Sequence, residues 1–166
     1  VLLCKNETGY RNLSYMVSQA YIEGFYIRPR IDLDLLRAHS EGLIGLSACL
    51  AGEIPRRIIN GDYDGAKAYA LEMRDILGEG NFYLELQDHG IPDQTIVNRA
   101  LLRMHNETGI PLVCTNDAHY LRKEDAESHD VLLCIQTGKT VDDENRMRYQ
   151  PQNFYLRSTQ EMEELF

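Results

Sequence analysis

Short apolar runs alternate with longer amphipathic stretches along this chain, and that order narrows the fold more than any other feature. Val1–Cys4, Leu43–Ser47, Phe82–Leu86 and Leu112–Thr115 are too short for helices and read as strands. Between them, Asn12–Gly24 repeats Leu13, Met16, Val17, Ala20 and Tyr21 at helical spacing. Asp32–His39 reads as a short helix with an acidic first turn, stopped by Gly42. Ile54–Asn60 carries Pro55 in its first turn and closes at Gly61; Asp62 then caps Tyr63–Leu77, which ends at Gly78. Asp93 opens a helix to about His105, closed by Gly109. Lys123–Gln136 is a further helix, Thr137–Asn153 is polar and irregular, and Ser158 with Glu161 forms a capping box for a last helix. Such alternation predicts an α/β fold, a parallel sheet with helices outside it. Periodicity does not separate a closed barrel from an open sheet.

At 166 residues, with 43% hydrophobic and 26% charged residues, the chain can bury a real core. No apolar run approaches membrane-spanning length and no signal-peptide pattern is present. Val1–Cys4 reads as the middle of a strand, so the chain is expected to be an internal piece of a longer polypeptide. A net charge of -9 argues against simple nonspecific DNA binding but is compatible with a bound cation. Cys4, Cys49, Cys114 and Cys134 form no CxxC pair, which excludes a zinc finger. Cys4, Cys114 and Cys134 lie in apolar segments and are expected to be buried, reduced thiols of a cytoplasmic protein.

Four places can carry chemistry. Asp117 and His119 follow the last apolar run in Thr115-Asn116-Asp117-Ala118-His119-Tyr120. Positions i and i+2 of an extended chain share a face, so carboxylate and imidazole can reach one point just past a strand end. That suits a Zn- or Mn-type ion; alternatively Asp117 caps a turn and His119 bonds to backbone. Cys49 follows the second run as a thiolate ligand or as an ordinary buried cysteine. Glu53 is a carboxylate behind a ligand or simply a first-turn helix charge. His89, in Gln87-Asp88-His89-Gly90, is a substrate or supporting contact, or part of a turn built on Asp88 and Gly90. No Walker loop, GxSxG elbow or HExxH helix is present.

Several segments together resemble the polymerase and histidinol phosphatase (PHP) domain family, in the form found at the N-terminal end of bacterial replicative DNA polymerase alpha subunits. They are Lys5-Asn6-Glu7-Thr8-Gly9-Tyr10-Arg11-Asn12-Leu13, the Gly42–Glu53 stretch, Phe82-Tyr83-Leu84-Glu85-Leu86-Gln87, Thr115–Tyr120 and His129–Lys139. The resemblance runs along essentially the whole chain. It implies a partial, distorted (β/α)7 TIM-like barrel of the PHP type, with residues 1–137 its C-terminal portion and 138–166 a connector toward a polymerase palm region. It also implies up to three divalent metal ions, zinc or manganese, at the C-terminal strand ends. Cys49, Asp117 and His119 match the family's late Cys and late Asp-x-His ligands. The family's early His-x-His has no counterpart among the five histidines here, so the site is expected to be incomplete within this chain.

The function this resemblance implies is a share in DNA replication. The parent chain would be a DNA-directed DNA polymerase, and this region a phosphoesterase-type domain acting as a 3′-5′ proofreading exonuclease when complete. No residue is assigned as a general acid or base. The alternatives are an inert domain that braces the polymerase or docks a proofreading subunit, and a free-standing phosphoesterase. Implied partners are the rest of the alpha subunit, other replisome subunits and DNA through the parent chain, with no membrane. Open strand edges also make self-pairing into a homo-oligomer an expectation.

Overall fold

A computed structural model describes residues 1–166. Four strands form one sheet in the order β1-β2-β3-β4: β1 (Leu2–Cys4), β2 (Leu43–Leu46), β3 (Phe82–Leu86) and β4 (Leu112–Cys114). Seven α-helices surround it: α1 (Glu7–Ile22), α2 (Leu33–Ala38), α3 (Glu53–Ile59), α4 (Tyr63–Leu77), α5 (Pro92–Thr108), α6 (Ala126–Thr137) and α7 (Thr159–Leu165). A single 3-10 turn, Lys123–Asp125, leads into α6. The α/β class read from the sequence is the one observed, and no helix is long and apolar enough to cross a membrane.

The sheet is not wholly parallel. β2, β3 and β4 run the same way, in register Gly45↔Phe82 and Leu84↔Leu112, but β1 is antiparallel to β2, with Cys4 opposite Leu43. The connection explains this. The chain leaves β1 along α1 and comes back through residues 23–38, so two passes return it to the end it left, where the Lys5 amide donates to the Gly42 carbonyl at 2.8 Å. Close approach makes that return possible. A Cβ on Gly9 would run into the Gly42 carbonyl, and Gly42 itself sits at φ +76. Asn6 caps α1 by accepting from the Gly9 amide at 3.0 Å, so the helix starts well before Asn12.

The core lies between the sheet and α1, α4 and α5. Leu84 and Leu86 of β3 meet Val97, Leu101 and Met104 of α5, with Ala66 and Ala70 of α4 and Met16 of α1 in the same cluster. Cys134 is buried as expected, but Cys4 and Cys114 are exposed. Both stand on the end strands of the sheet, where an apolar run is covered on fewer sides than in a central strand.

Glu107 ties α4 to α5. It accepts from Tyr63 Oη at 3.0 Å, Lys67 Nζ at 2.8 Å and Arg103 Nε at 2.6 Å. The Lys67 and Arg103 hydrogen bonds hold its carboxyl down at about 2, below the ordinary 4.5. A carboxyl depressed in the folded state stabilises above its ordinary value and ceases to do so as pH falls through the folded one. Glu107→Gln is therefore expected to lower the melting temperature at pH 6 and to have lost most of that effect near pH 2; an unchanged difference across the range would show that the charge is not what matters.

Candidate metal centre

Because β2, β3 and β4 are parallel, Ser47, Gln87 and Thr115 all leave the sheet at one edge. A polar layer crosses that edge. The Glu85 amide donates to Ser47 Oγ at 2.8 Å, and Glu85 Oε1 accepts from Thr115 Oγ1 at 2.5 Å and from Gln87 Nε2 at 3.2 Å. Glu85 and Gln87 are 7% and 5% exposed, and Glu85 Oε2 and Gln87 Oε1 have no donor. Both residues line a small cavity with Cys49. The cavity therefore has surplus acceptors, which suits a cation or a water that brings its own protons.

Asp117 and His119 converge, with Asp117 Oδ1 3.6 Å from His119 Nε2. Extended spacing is not the cause. Asp117 sits at φ +42, and this left-handed residue turns the chain just beyond β4. Ala48 makes a comparable turn beyond β2, at φ 65, immediately before Cys49. Backbone of this kind costs on the order of 1–3 kcal/mol per residue and persists only when neighbours enforce it.

The neighbours of the Asp117 turn come from the C-terminal segment. The Asn116 side-chain amide donates to the carbonyls of Asn153 at 3.0 Å and Tyr155 at 2.6 Å, while the His119 amide donates to the Phe154 carbonyl at 2.8 Å. Rings close over the site. The His119 ring lies 4.5 Å from Tyr149, 5.7 Å from His129 and 5.8 Å from Phe154. Burial, and then the charge of His119, pushes the His129 imidazole below its ordinary value. Burial also raises the Tyr149 phenol, helped by the charges of Asp117 and Cys49.

Cys49 is half-buried and lines the cavity floored by Glu85 and Gln87. No three His, Cys, Asp or Glu side chains come together in a group that could hold a metal ion. Asp117 and His119 supply one oxygen and one nitrogen donor, types that fit Zn or Mn, and the surplus acceptors beside Cys49 add local negative potential. The residues present thus fit part of a divalent metal site. Glu53 is engaged one turn along its own helix, by Arg57 Nε at 2.8 Å. His89 is 1% exposed and both its ring nitrogens are occupied, Nδ1 by Gln94 at 2.8 Å and Nε2 by the Asn116 carbonyl at 2.9 Å, so it offers no free nitrogen to a ligand.

Sequence reading missed Tyr149, Asn116, Phe154 and the Glu85–Gln87 pair. Of these, only Glu85 left a signal, as a charge inside an otherwise apolar strand. The others matter through contacts with residues far away in the chain.

The fold and this edge define a known class. A family model for the PHP domain matches residues 1–89, and the chain belongs to that family. The family is in general a metal-dependent phosphoesterase fold, which supports a role for divalent metal here. The chain is 49% identical over 166 residues to the DNA polymerase III subunit alpha of Borreliella burgdorferi and 46% identical over the same length to that of Treponema pallidum. It is 47% identical over 161 residues, 97% of its length, to the corresponding subunit of Thermus aquaticus. It spans only 13–14% of the length of these relatives.

Proposed function

We propose that this chain is part of a bacterial replicative DNA polymerase polypeptide and contributes the later strands of a distorted (β/α)7 barrel. In this reading residues 1–137 are the C-terminal portion of the PHP domain, and 138–166 lead toward the polymerase palm. Cys49, Asp117 and His119 hold divalent metal together with ligands from elsewhere in the same polypeptide, and the region removes nucleotides from a 3′ end. Bound metal would neutralise charge on a phosphodiester and lower the pKa of a coordinated water. This chain's own residues do three things. Asp117 and His119 offer their donors from a turned, fixed segment. Tyr149 and Phe154 cover the imidazole and limit water around it. Glu85 and Gln87 keep the floor of the edge electronegative.

The observation that carries the proposal is the 3.6 Å approach of Asp117 to His119 at the edge where three parallel strands end. The test uses the full-length polypeptide. Cys49→Ala and Asp117→Asn should each reduce bound Zn or Mn, measured by elemental analysis. Both should abolish chelator-sensitive 3′ excision on a primer–template while leaving nucleotide addition intact. Excision that persists in both variants would overturn the proposal.

A further inference from the structure

We propose that His89 is a positioning residue: its neutral ring fixes the Asn116 carbonyl and thereby sets the Asp117–His119 turn in its ligand-offering geometry. The inference rests on the metal-site reading above and adds a residue to it.

The hydrogen-bond pattern decides the protonation of the ring. The His89 amide can only donate, and it reaches Gln94 Oε1 at 2.7 Å. That fixes the orientation of the Gln94 amide, so its Nε2 faces His89 Nδ1 at 2.8 Å as a donor. Nδ1 must then accept, the proton lies on Nε2, and Nε2 donates to the Asn116 carbonyl at 2.9 Å. Each partner can play only its assigned role, and Gln94 cannot turn over without setting donor against donor at the His89 amide. The ring is also stacked on Phe154, with centroids 4.0 Å apart and planes 16° from parallel. A flat side chain with one donor and one acceptor at its two ends is what this place requires, and neutral histidine supplies it.

The consequence falls on the next residue. Asn116 is held twice, by its carbonyl from His89 and by its side-chain amide on Asn153 and Tyr155. The backbone therefore enters Asp117 from a fixed point, and φ +42 at Asp117 is maintained by those anchors rather than by its own preference. Asn153 closes the ring by donating to the His89 carbonyl at 3.1 Å.

Two variants separate positioning from simple support. His89→Phe keeps a flat ring against Phe154 and removes both polar contacts; His89→Gln restores one donor and one acceptor. On the longer polypeptide, Zn2+ affinity measured against a chromophoric chelator should weaken about tenfold in the Phe variant, the lower end for residues that orient ligands, and recover in the Gln variant. A Phe variant that melts earlier but binds Zn2+ as the wild type does would overturn the proposal. A second readout does not depend on metal. In the 166-residue chain, the NMR coupling between the Asp117 amide and Hα protons reports its φ. It should change in the Phe variant and stay near wild type in the Gln variant; an Asp117 backbone unmoved by His89→Phe would also overturn the proposal. If wild type binds no Zn2+ while Asp117 responds as expected, the metal reading fails and the positioning role stands.

Discussion

Replacing Leu84 by alanine is expected to lower stability by about 2–5 kcal/mol, and the melting temperature of a chain this size by about 5–15 °C. Leu84 is 0% exposed on β3, which is paired on both sides, and belongs to the cluster that joins the sheet to α5. Truncation removes the transfer energy of the lost atoms and leaves a cavity that a paired strand cannot collapse to fill. The damage should reach the site, because Glu85 follows directly and joins Ser47, Thr115 and Gln87 across the strand ends. Leu132→Ala is the control. That side chain is 61% exposed on α6, and surface changes of this kind stay within about 0.5 kcal/mol. Denaturant unfolding of the two variants beside wild type checks the prediction; equal losses would mean that the cluster on β3 is not the core.

What was legible in the sequence was local. The helix Tyr63–Leu77, its Asp62 cap and the Gly78 that ends it follow from residues within one turn of each other, and the structure has all three where spacing puts them. The strand Phe82–Leu86 is equally local, a short apolar run between breakers. The Asp88–Gly90 turn is present as read, with the Gly90 amide donating to Asp88 Oδ1 at 2.9 Å, but the same residues also bury the His89 ring, which no local rule announces. The reversed β1 depends on how two helical passes return the chain, and the exposure of Cys4 and Cys114 depends on which strands lie at the ends of the sheet. Asp117 and His119 were found by their spacing. They meet for a different reason, a left-handed residue whose neighbour Asn116 is held from 37 and 39 positions downstream.

Asp130→Ala is expected to detach the C-terminal segment from the candidate site. Arg146 clamps Asp130 of α6 through Nη1 and Nη2, each at 2.6 Å, and the Arg146 side chain is only 3% exposed. The Arg146 hydrogen bond holds the Asp130 carboxyl below the usual carboxylate range. Removing the carboxylate leaves a covered guanidinium without its counter-charge, and breaking such a pair from one side is far more damaging than never having had it. The cheapest escape is for Arg146 to reach water, which pulls on the chain that leads to Tyr149 and Phe154. Amide exchange should then quicken at His119, bonded to the Phe154 carbonyl, and at Leu156, bonded to the Tyr120 carbonyl. With Tyr149 in solvent, its phenol should titrate lower, back toward its ordinary value. The double variant Asp130→Ala/Arg146→Ala should harm the fold less than Asp130→Ala alone, because no unpaired charge is left under cover. If His119 and Leu156 stay as protected in Asp130→Ala as in wild type, the segment is held by its contacts with Asn116 and Tyr120 alone, and the ion pair is incidental to the cover over His119.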